Sequence, residues 1–239
     1  MRNRPVPQMS DEARAFARSL LIAEDALVLA FNKPSGLPVQ SRGNNRRCLD
    51  ELLWAFARSN GKRPRLVHRL DAATSGLILA ARTKPAAAFL SAAFEAREVE
   101  KHYLALVSGN LPVRAGGTVD EPLRRVERGE DGRPAHARAS RPGESGAKPA
   151  RTDWQAVASG QGVTLLDVQP QTGRMHQIRA HLAHIGHPII GDALYDGLNG
   201  PRLMLHAAHL TVPLPEGGTR TYEAPPQADF TDALKAFGL

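Results

Sequence analysis

Apolar positions change their period several times along this chain. Ser10 followed by DEARAFARS has the form of a capped helix start. LLIAEDALVLAFNKPSGLPV then switches to a β-like pattern, with Leu27, Val28, Leu29, Ala30 and Phe31 as an apolar run and NKPSG as a turn. Leu49 to Ala57 returns to helical spacing, with Leu49, Leu52, Leu53 and Phe56 on one face. The loop SNGKRPR leads into a short strand at Leu66–Val67, the turn DAATSG and an apolar strand from Leu77 to Ala80. Residues 85–97 predict the clearest helix, with a proline in its first turn. KHYLALVSG reads as a strand with Tyr103, Ala105 and Val107 on one face and Leu104 and Leu106 on the other. Further strands are predicted at Trp154 to Val157, at Val163 to Val168 and in LMLHAAHLTV. HQIRAHLAHI, residues 176–185, predicts a short helix with Ile178, Leu182 and Ile185 on its buried stripe. DFTDALKAF predicts a C-terminal helix capped by Asp229 or Thr231.

Strands come in groups with occasional helices and without steady βαβ alternation. That pattern predicts an α+β fold with a largely antiparallel sheet. Residues 1–19 read as an N-terminal extension, the first nine as a tail, and 20–239 as one domain. Residues 112–150 change character. RRVERGEDGRPAHARASRPGESGAKPA is rich in Arg, Gly and Pro and poor in large apolar groups. Short strands joined by a long mobile loop, flexible around 124–150, are expected there.

Charge narrows the partners. The formal net charge of +7 over 239 residues favours a polyanionic partner, usually nucleic acid and sometimes an anionic membrane. No run of ~18 apolar residues predicts a membrane span, and the N-terminus lacks the apolar stretch of a secretion signal. Cys48 is the only cysteine. It reads as a small buried group at a helix start and agrees with a reducing cytoplasm. No GxGxxG after a strand, no GxxxxGK[ST] and no HExxH occurs, so redox and ATP-driven chemistry lack sequence support. His181, His184 and His187 lack the carboxylate or cysteine that would complete a zinc set, and they read as helix-end or RNA-facing residues. Neither a metal nor a cofactor is expected.

VHRLDAATSGLILA carries the chemistry-bearing candidate. Asp71 stands between a short strand and a Thr-Ser-Gly turn. An aspartate there can simply hydrogen-bond its own turn through Thr74, Ser75 and Gly76. His68 and Arg69, however, crowd the same loop with positive charge, and Arg58, Lys62, Arg63 and Arg65 precede it. A carboxylate in such company would face an anionic partner. Position alone names no reaction.

VHRLDAATSGLILAART resembles the motif of the RluA-type RNA pseudouridine synthases. EKHYLALVSG is similar to the tyrosine-bearing strand of that family, and QPQTGRMHQIRAHLAHIGHPIIGDALY to its arginine-bearing segment and the Gly-Asp-x-x-Tyr that follows. RLMLHAAHL is similar to its leucine-bearing strand, and NKPSGLPV fits as well. The resemblance spans roughly residues 20–226. It implies a mixed, mostly antiparallel sheet with flanking helices and a central RNA-binding cleft. It also implies roles. Asp71 would be the catalytic carboxylate, Arg179 its paired guanidinium, and Tyr103 the aromatic that stacks on the target uracil. Leu205 would line the base pocket, and Arg69 would occupy the space of a flipped-out base. His68 and Thr74 beside Asp71, and Arg174 and His176 in the arginine-bearing segment, are expected to contact substrate. Arg42, Arg46, Arg47, Arg58, Lys62, Arg63 and Arg65 are candidate backbone contacts. Only about twenty residues precede the first strand, so the small S4-type domain of many relatives is expected to be absent. The Arg/Gly/Pro-rich stretch matches none of these segments. The expected activity is uridine isomerisation in ribosomal or transfer RNA by a cytoplasmic monomer, with no protein partner, membrane or cofactor. Two alternatives stand beside it. A catalytically silent RNA-binding module of the same fold would not need the complete Asp71, Tyr103, Arg179 and Leu205 set. A hydrolase using Asp71 and His68 would show a nucleophile elbow or a carboxylate pair, and none is evident.

Overall fold

The computed structural model describes residues 9–41 and 48–239. In chain order the elements are α1 (Asp11–Ser19), β1 (Leu21–Glu24), β2 (Val28–Lys33), α2 (Leu49–Leu52), β3 (Arg65–Leu66), β4 (Ser75–Ala81), α3 (Lys84–Ala96) and β5 (Glu100–Ser108). Then come β6 (Gly116–Val119), β7 (Leu123–Val126), β8 (His136–Ala139), β9 (Ala147–Lys148), β10 (Thr152–Gly160) and β11 (Val163–Pro170). The last are α4 (Gln177–His184), β12 (Leu205–Pro213), β13 (Thr219–Glu223) and α5 (Ala228–Ala236). The chain forms two compact units, one up to Val99 with His209–Pro225, the other Glu100–Ala208 with Pro226–Leu239. The span 20–239, expected as one domain, is shared between them.

In the first unit β4 is the central strand. All seven of its residues are buried, which is why SGLILAA reads as a continuous apolar run and not as an alternation. β2 pairs with it antiparallel from Val28↔Ala81 to Lys33↔Gly76, and β3 takes the other edge through Leu66↔Ala80. β1 closes on β2, and β13 pairs antiparallel with the His209–Pro213 half of β12. α1 starts as its sequence predicts, with Ser10 Oγ accepting the Ala13 N–H at 3.2 Å. α3 packs on β3 and β4 through Ala86, Ala87, Leu90 and Ala93. Thr83 caps it by accepting the Ala86 N–H. Cys48 is buried at the start of α2.

In the second unit β5, β11, β10 and β6 run antiparallel in that order. Ala105, Leu106, Val107, Val163, Leu166 and Val168 on β5 and β11 are buried. α4 is buried almost all round: Gln177 to Leu182 are all buried, whereas Ile185 is only half-buried. A single apolar stripe therefore understates how deeply this helix is set.

Three expectations are revised. Leu49 to Ala57 is not one α-helix, because α2 tightens into a 3₁₀ turn over Leu53–Phe56. There Phe56 meets Phe31 edge-on at 5.2 Å and Arg63 lies over Trp54, so packing overrides the helical period. α5 takes Gln227 as its N-cap residue without a side-chain bond. Asp229 is spent on Arg202 at 2.6 and 2.9 Å, and Thr231 Oγ1 donates to the Ala228 carbonyl. The third revision concerns residues 123–150. Where short strands joined by a long mobile loop are expected, the short strands β7, β8 and β9 form their own antiparallel sheet in the order β8–β7–β9. Its core is small, consisting of Leu123, Ala137 and Ala150 against Ala180 of α4, with Ala139 and Tyr195 at the edge. Arginine and glutamate pairs, Arg124–Glu130, Arg125–Glu127 and Arg138–Glu144, lace its surface. Small apolar residues alternating with paired charges make a sheet here that composition alone disguises.

Candidate active site

Asp71 ends an extended segment and begins a turn. Along residues 68–71 His68 points inward, Arg69 is exposed, Leu70 is buried and Asp71 is half-buried. The Thr74 N–H closes the turn on the Asp71 carbonyl at 3.2 Å, and β4 begins one residue later. Thr74 itself is buried beneath the turn.

The NKPSG segment holds this turn from the other side. Lys33 Nζ and the Gly36 N–H both donate to the Ala72 carbonyl, at 3.0 and 2.8 Å, and Ser35 Oγ donates to the Ala73 carbonyl at 2.6 Å. Gly36 sits at φ 84°, a conformation that side-chain-bearing residues adopt at a cost. Lys33 is 0% exposed, and its Nζ also donates to the Pro34 and Leu37 carbonyls at 2.9 Å each. An ammonium has three N–H bonds, and each here meets a carbonyl. The two turns are therefore one clamp around the backbone next to Asp71. Sequence reasoning misses Lys33, because a lysine at a strand end is ordinarily a surface residue. The one signal is its place directly after a buried apolar run and before Pro-Ser-Gly.

His68 does not supply charge. The Leu79 N–H donates to its Nε2 at 2.9 Å, so Nε2 carries no proton and the ring is neutral. The ring also stacks on Phe94 at 4.5 Å. His68, expected to add positive charge to this loop, instead braces residues 67–70 against β4 and α3. Arg63 is likewise tied down. It grips Asp50 through two nitrogens at 2.7 Å each and is not a free backbone contact. Arg58, Lys62 and Arg65 are exposed, while Arg42, Arg46 and Arg47 lie outside the described residues.

The second unit holds Arg179, buried on α4. Its Nε and Nη2 donate to the two carboxylate oxygens of Asp192 at 2.7 Å each. Asp192 is 2% exposed and Arg179 8%. The Tyr195 ring lies 5.0 Å from the guanidinium carbon. Two of the three guanidinium nitrogens are thus fixed by one carboxylate, which sets the direction of Nη1. Asp192 follows Gly191, whose φ is 77° and where a Cβ would fall 1.8 Å from the Arg202 carbonyl oxygen. Only glycine fits there, so the Gly-Asp pair places the carboxylate.

Around α4 a buried polar network takes up His181, one of the histidines read as helix-end or RNA-facing. Gln177 Nε2 donates to Thr152 Oγ1 at 3.0 Å, and because His181 Nε2 faces a carbonyl and must carry the proton, the Thr152 hydroxyl donates to Nδ1 of the neutral ring at 2.8 Å. His181 Nε2–H then donates to the Glu121 carbonyl at 2.9 Å. Burial pushes the His181 pKa below its ordinary value. Arg174 Nε donates to the Pro149 carbonyl at 3.1 Å. His176 precedes α4 at φ 51°, and its Nδ1 lies 3.2 Å from the Tyr195 hydroxyl. Tyr103 is half-buried on β5 opposite Val168. Leu205 is buried at the start of β12, next to Met204, whose carbonyl accepts the Leu106 N–H of β5. Tyr103 and Leu205 thus belong to neighbouring strands. Among the described residues no group of three or more His, Cys, Asp or Glu is placed to hold a metal ion. No helix among them is long and apolar enough to cross a membrane.

Comparison with known proteins gives this arrangement a context. A family model described as RNA pseudouridylate synthase matches residues 27–184. An uncharacterized RNA pseudouridine synthase of Zymomonas mobilis is 36% identical over 212 residues, which are 87% of this chain and 94% of that protein. The dual-specificity RNA pseudouridine synthase RluA of Escherichia coli is 36% identical over 217 residues, 88% and 94% of the two chains. Some relatives are longer, and the chain spans 58% of one of them. Among solved structures, human RNA Pseudouridylate Synthase Domain Containing 4 matches with a TM-score of 0.79 at 25% identity, covering 95% of this chain and 97% of that one. That likeness agrees with an α+β class whose β structure is mixed and mostly antiparallel.

Proposed function

Because this chain belongs to the RNA pseudouridylate synthase family and is an isomerase of the RluA type, we propose that it converts specific uridines of ribosomal or transfer RNA with Asp71 as the catalytic carboxylate. The single observation that carries this is the extent of the family match, which from residue 27 to 184 takes in Asp71, Tyr103 and Arg179 together. The reaction breaks the bond between uracil N1 and ribose C1′, turns the base and rejoins it through C5. No atom is gained and no electron is transferred.

A uridine inside RNA structure reaches a half-buried carboxylate only after it is flipped out of its stack. Asp71 then either attacks covalently or removes a ribose proton, and both routes need the ionised carboxylate. Arg179 is its guanidinium partner in this reading, held by Asp192 at Nε and Nη2. Tyr103 stacks on the uracil and takes part in removing the C5 proton, Leu205 lines the base pocket, and exposed Arg69 fills the vacated position in the RNA. The enzyme acts as a monomer in the cytoplasm, a setting with which its single buried cysteine agrees.

The test is Asp71→Asn, which keeps shape and removes charge. Pseudouridine formation in single-turnover assays on total cellular RNA should fall by about 10²–10⁴-fold or more, with an unchanged circular dichroism spectrum. A variant that keeps full activity would remove Asp71 from the mechanism.

A further inference from the structure

The sheet β7–β8–β9 matches none of the motif segments, yet it is bonded to the residues that hold Arg179. The Tyr195 hydroxyl accepts the Ala137 N–H at 3.1 Å and donates to the Ala137 carbonyl at 2.8 Å. Ala137 lies on β8, opposite Arg125. The hydroxyl proton being spent on that carbonyl, the His176 Nδ1 contact at 3.2 Å is one in which the ring nitrogen donates. The same tyrosine presents its ring to the Arg179 guanidinium. A second tie runs beside it, where Arg133 Nη1 donates to the Leu194 carbonyl at 3.2 Å and stands 3.7 Å from Asp196. β8 packs on α4, which carries Arg179, and Ala180, the next residue, belongs to the core of the small sheet.

We propose that Tyr195 is a positioning residue through which the β7–β8–β9 sheet sets the plane of the Arg179 guanidinium. Asp192 fixes two nitrogens of the group in their own plane but resists tilting of that plane only weakly. The tyrosine ring, with the guanidinium carbon 5.0 Å from its centroid, adds a restraint on that tilt, and two hydrogen bonds to one β8 residue keep the ring in place. The small sheet is then part of the apparatus that orients the guanidinium. This rests on the role given to Arg179 above.

Tyr195→Phe keeps the ring and deletes the hydroxyl, so it cuts the link to β8 and leaves the aromatic face. In the full-length protein the single-turnover rate should fall about tenfold, with KM for RNA within about twofold, since an aiming defect acts on the chemical step. In an Arg179→Lys background the same substitution should change nothing further. Ala137→Pro deletes the N–H that the hydroxyl accepts. β8 is an edge strand, and that N–H is directed at Tyr195, so this variant should lower the rate in the same direction. The direct readout is the Arg179 Nε–H resonance, assigned by its loss in Arg179→Lys, whose solvent exchange should quicken about tenfold in Tyr195→Phe. An unchanged exchange rate, or an equal loss of activity in both backgrounds, overturns the proposal. Full activity of Arg179→Lys would instead overturn the catalytic role of Arg179 and leave the exchange experiment to decide the coupling.

Discussion

Replacing Lys33 by Met tests the clamp around Asp71 directly. Methionine matches the lysine stem in length and apolar character and removes only the ammonium. Three hydrogen bonds from a charged donor are lost, to the carbonyls of Pro34, Leu37 and Ala72. Bonds to charged groups contribute roughly 1.5–3 kcal/mol each, and a buried acceptor left without its donor costs a similar amount. Against this stands relief from burying a cation, itself several kcal/mol. The net loss should be about 2–4 kcal/mol. In a chain of this size each kcal/mol moves Tm by roughly 2–4 °C, so unfolding followed by circular dichroism should shift down by about 5–15 °C. Activity should fall even where the variant is fully folded. The Ala72 carbonyl keeps the Gly36 N–H but loses Lys33, and the residue beside it is Asp71. At a temperature well below both midpoints, single-turnover pseudouridine formation should drop about tenfold or more, because small displacements of a reacting group are costly. A Tm within a degree of the parent together with an unchanged rate would refute the reasoning. A lower Tm with an unchanged rate would make Lys33 a purely structural residue.

Two further outcomes follow from buried groups in the second unit. His181 has a folded-state pKa below its ordinary value of 6.5 because burial disfavours its charged form. The unfolded chain therefore takes up the proton first, and stability should decline as pH drops below about 6.5. Urea midpoints at pH 7.5 and 5.5 should differ more for the parent than for His181→Gln, and equal differences would refute the assignment. Gly191→Ala forces a Cβ into the Arg202 carbonyl oxygen at a position with φ 77°. It should cost at least about 3 kcal/mol or unseat Asp192, read as a lowered Tm and a lowered rate together. A silent substitution would mean that the Gly-Asp turn does not place the carboxylate.

Much of the fold is legible because period and punctuation agree. Ser10 before an acidic first turn, Pro85 in the first turn of α3 and the apolar run of β4 each identify an element before any packing is known. What sequence hides is every feature decided by partners distant in the chain. Nothing in LDELLWAF reveals that Phe56 must reach Phe31 and so tighten the helix. Asp229 looks like a cap until Arg202 takes it. Ala137, Ala139 and Ala150 are too small to register as a core, yet with Leu123 and α4 they suffice for a sheet. At the site, the motif residues can be read through resemblance, whereas their supports cannot. His68 looks like a cation and is a neutral brace. Lys33 looks like a surface residue and is completely enclosed. Asp192 gains its meaning only from a guanidinium thirteen residues earlier.

Among the described residues Lys33 and Arg179 are buried cations, and they raise a question that stability alone does not answer. Enclosing Arg179 with Asp192 removes both charges from water, at several kcal/mol per ion, and even an ideal pair roughly recovers that cost. Apolar residues of equal volume would hold the fold about as well. Lys33 differs in that an apolar residue in its place would leave three carbonyls without their donor, at the net cost given above. What neither apolar substitute could supply is direction. An ammonium committed to three carbonyls cannot rotate, and a guanidinium held at Nε and Nη2 presents Nη1 along one line. In the first unit that rigidity is applied to the backbone next to Asp71, and in the second to the arginine that this reading pairs with it. Buried charge is thus found where the proposed chemistry requires a fixed vector, and the supporting residues, Lys33, Asp192 and Tyr195, are where substitution should separate orientation from stability.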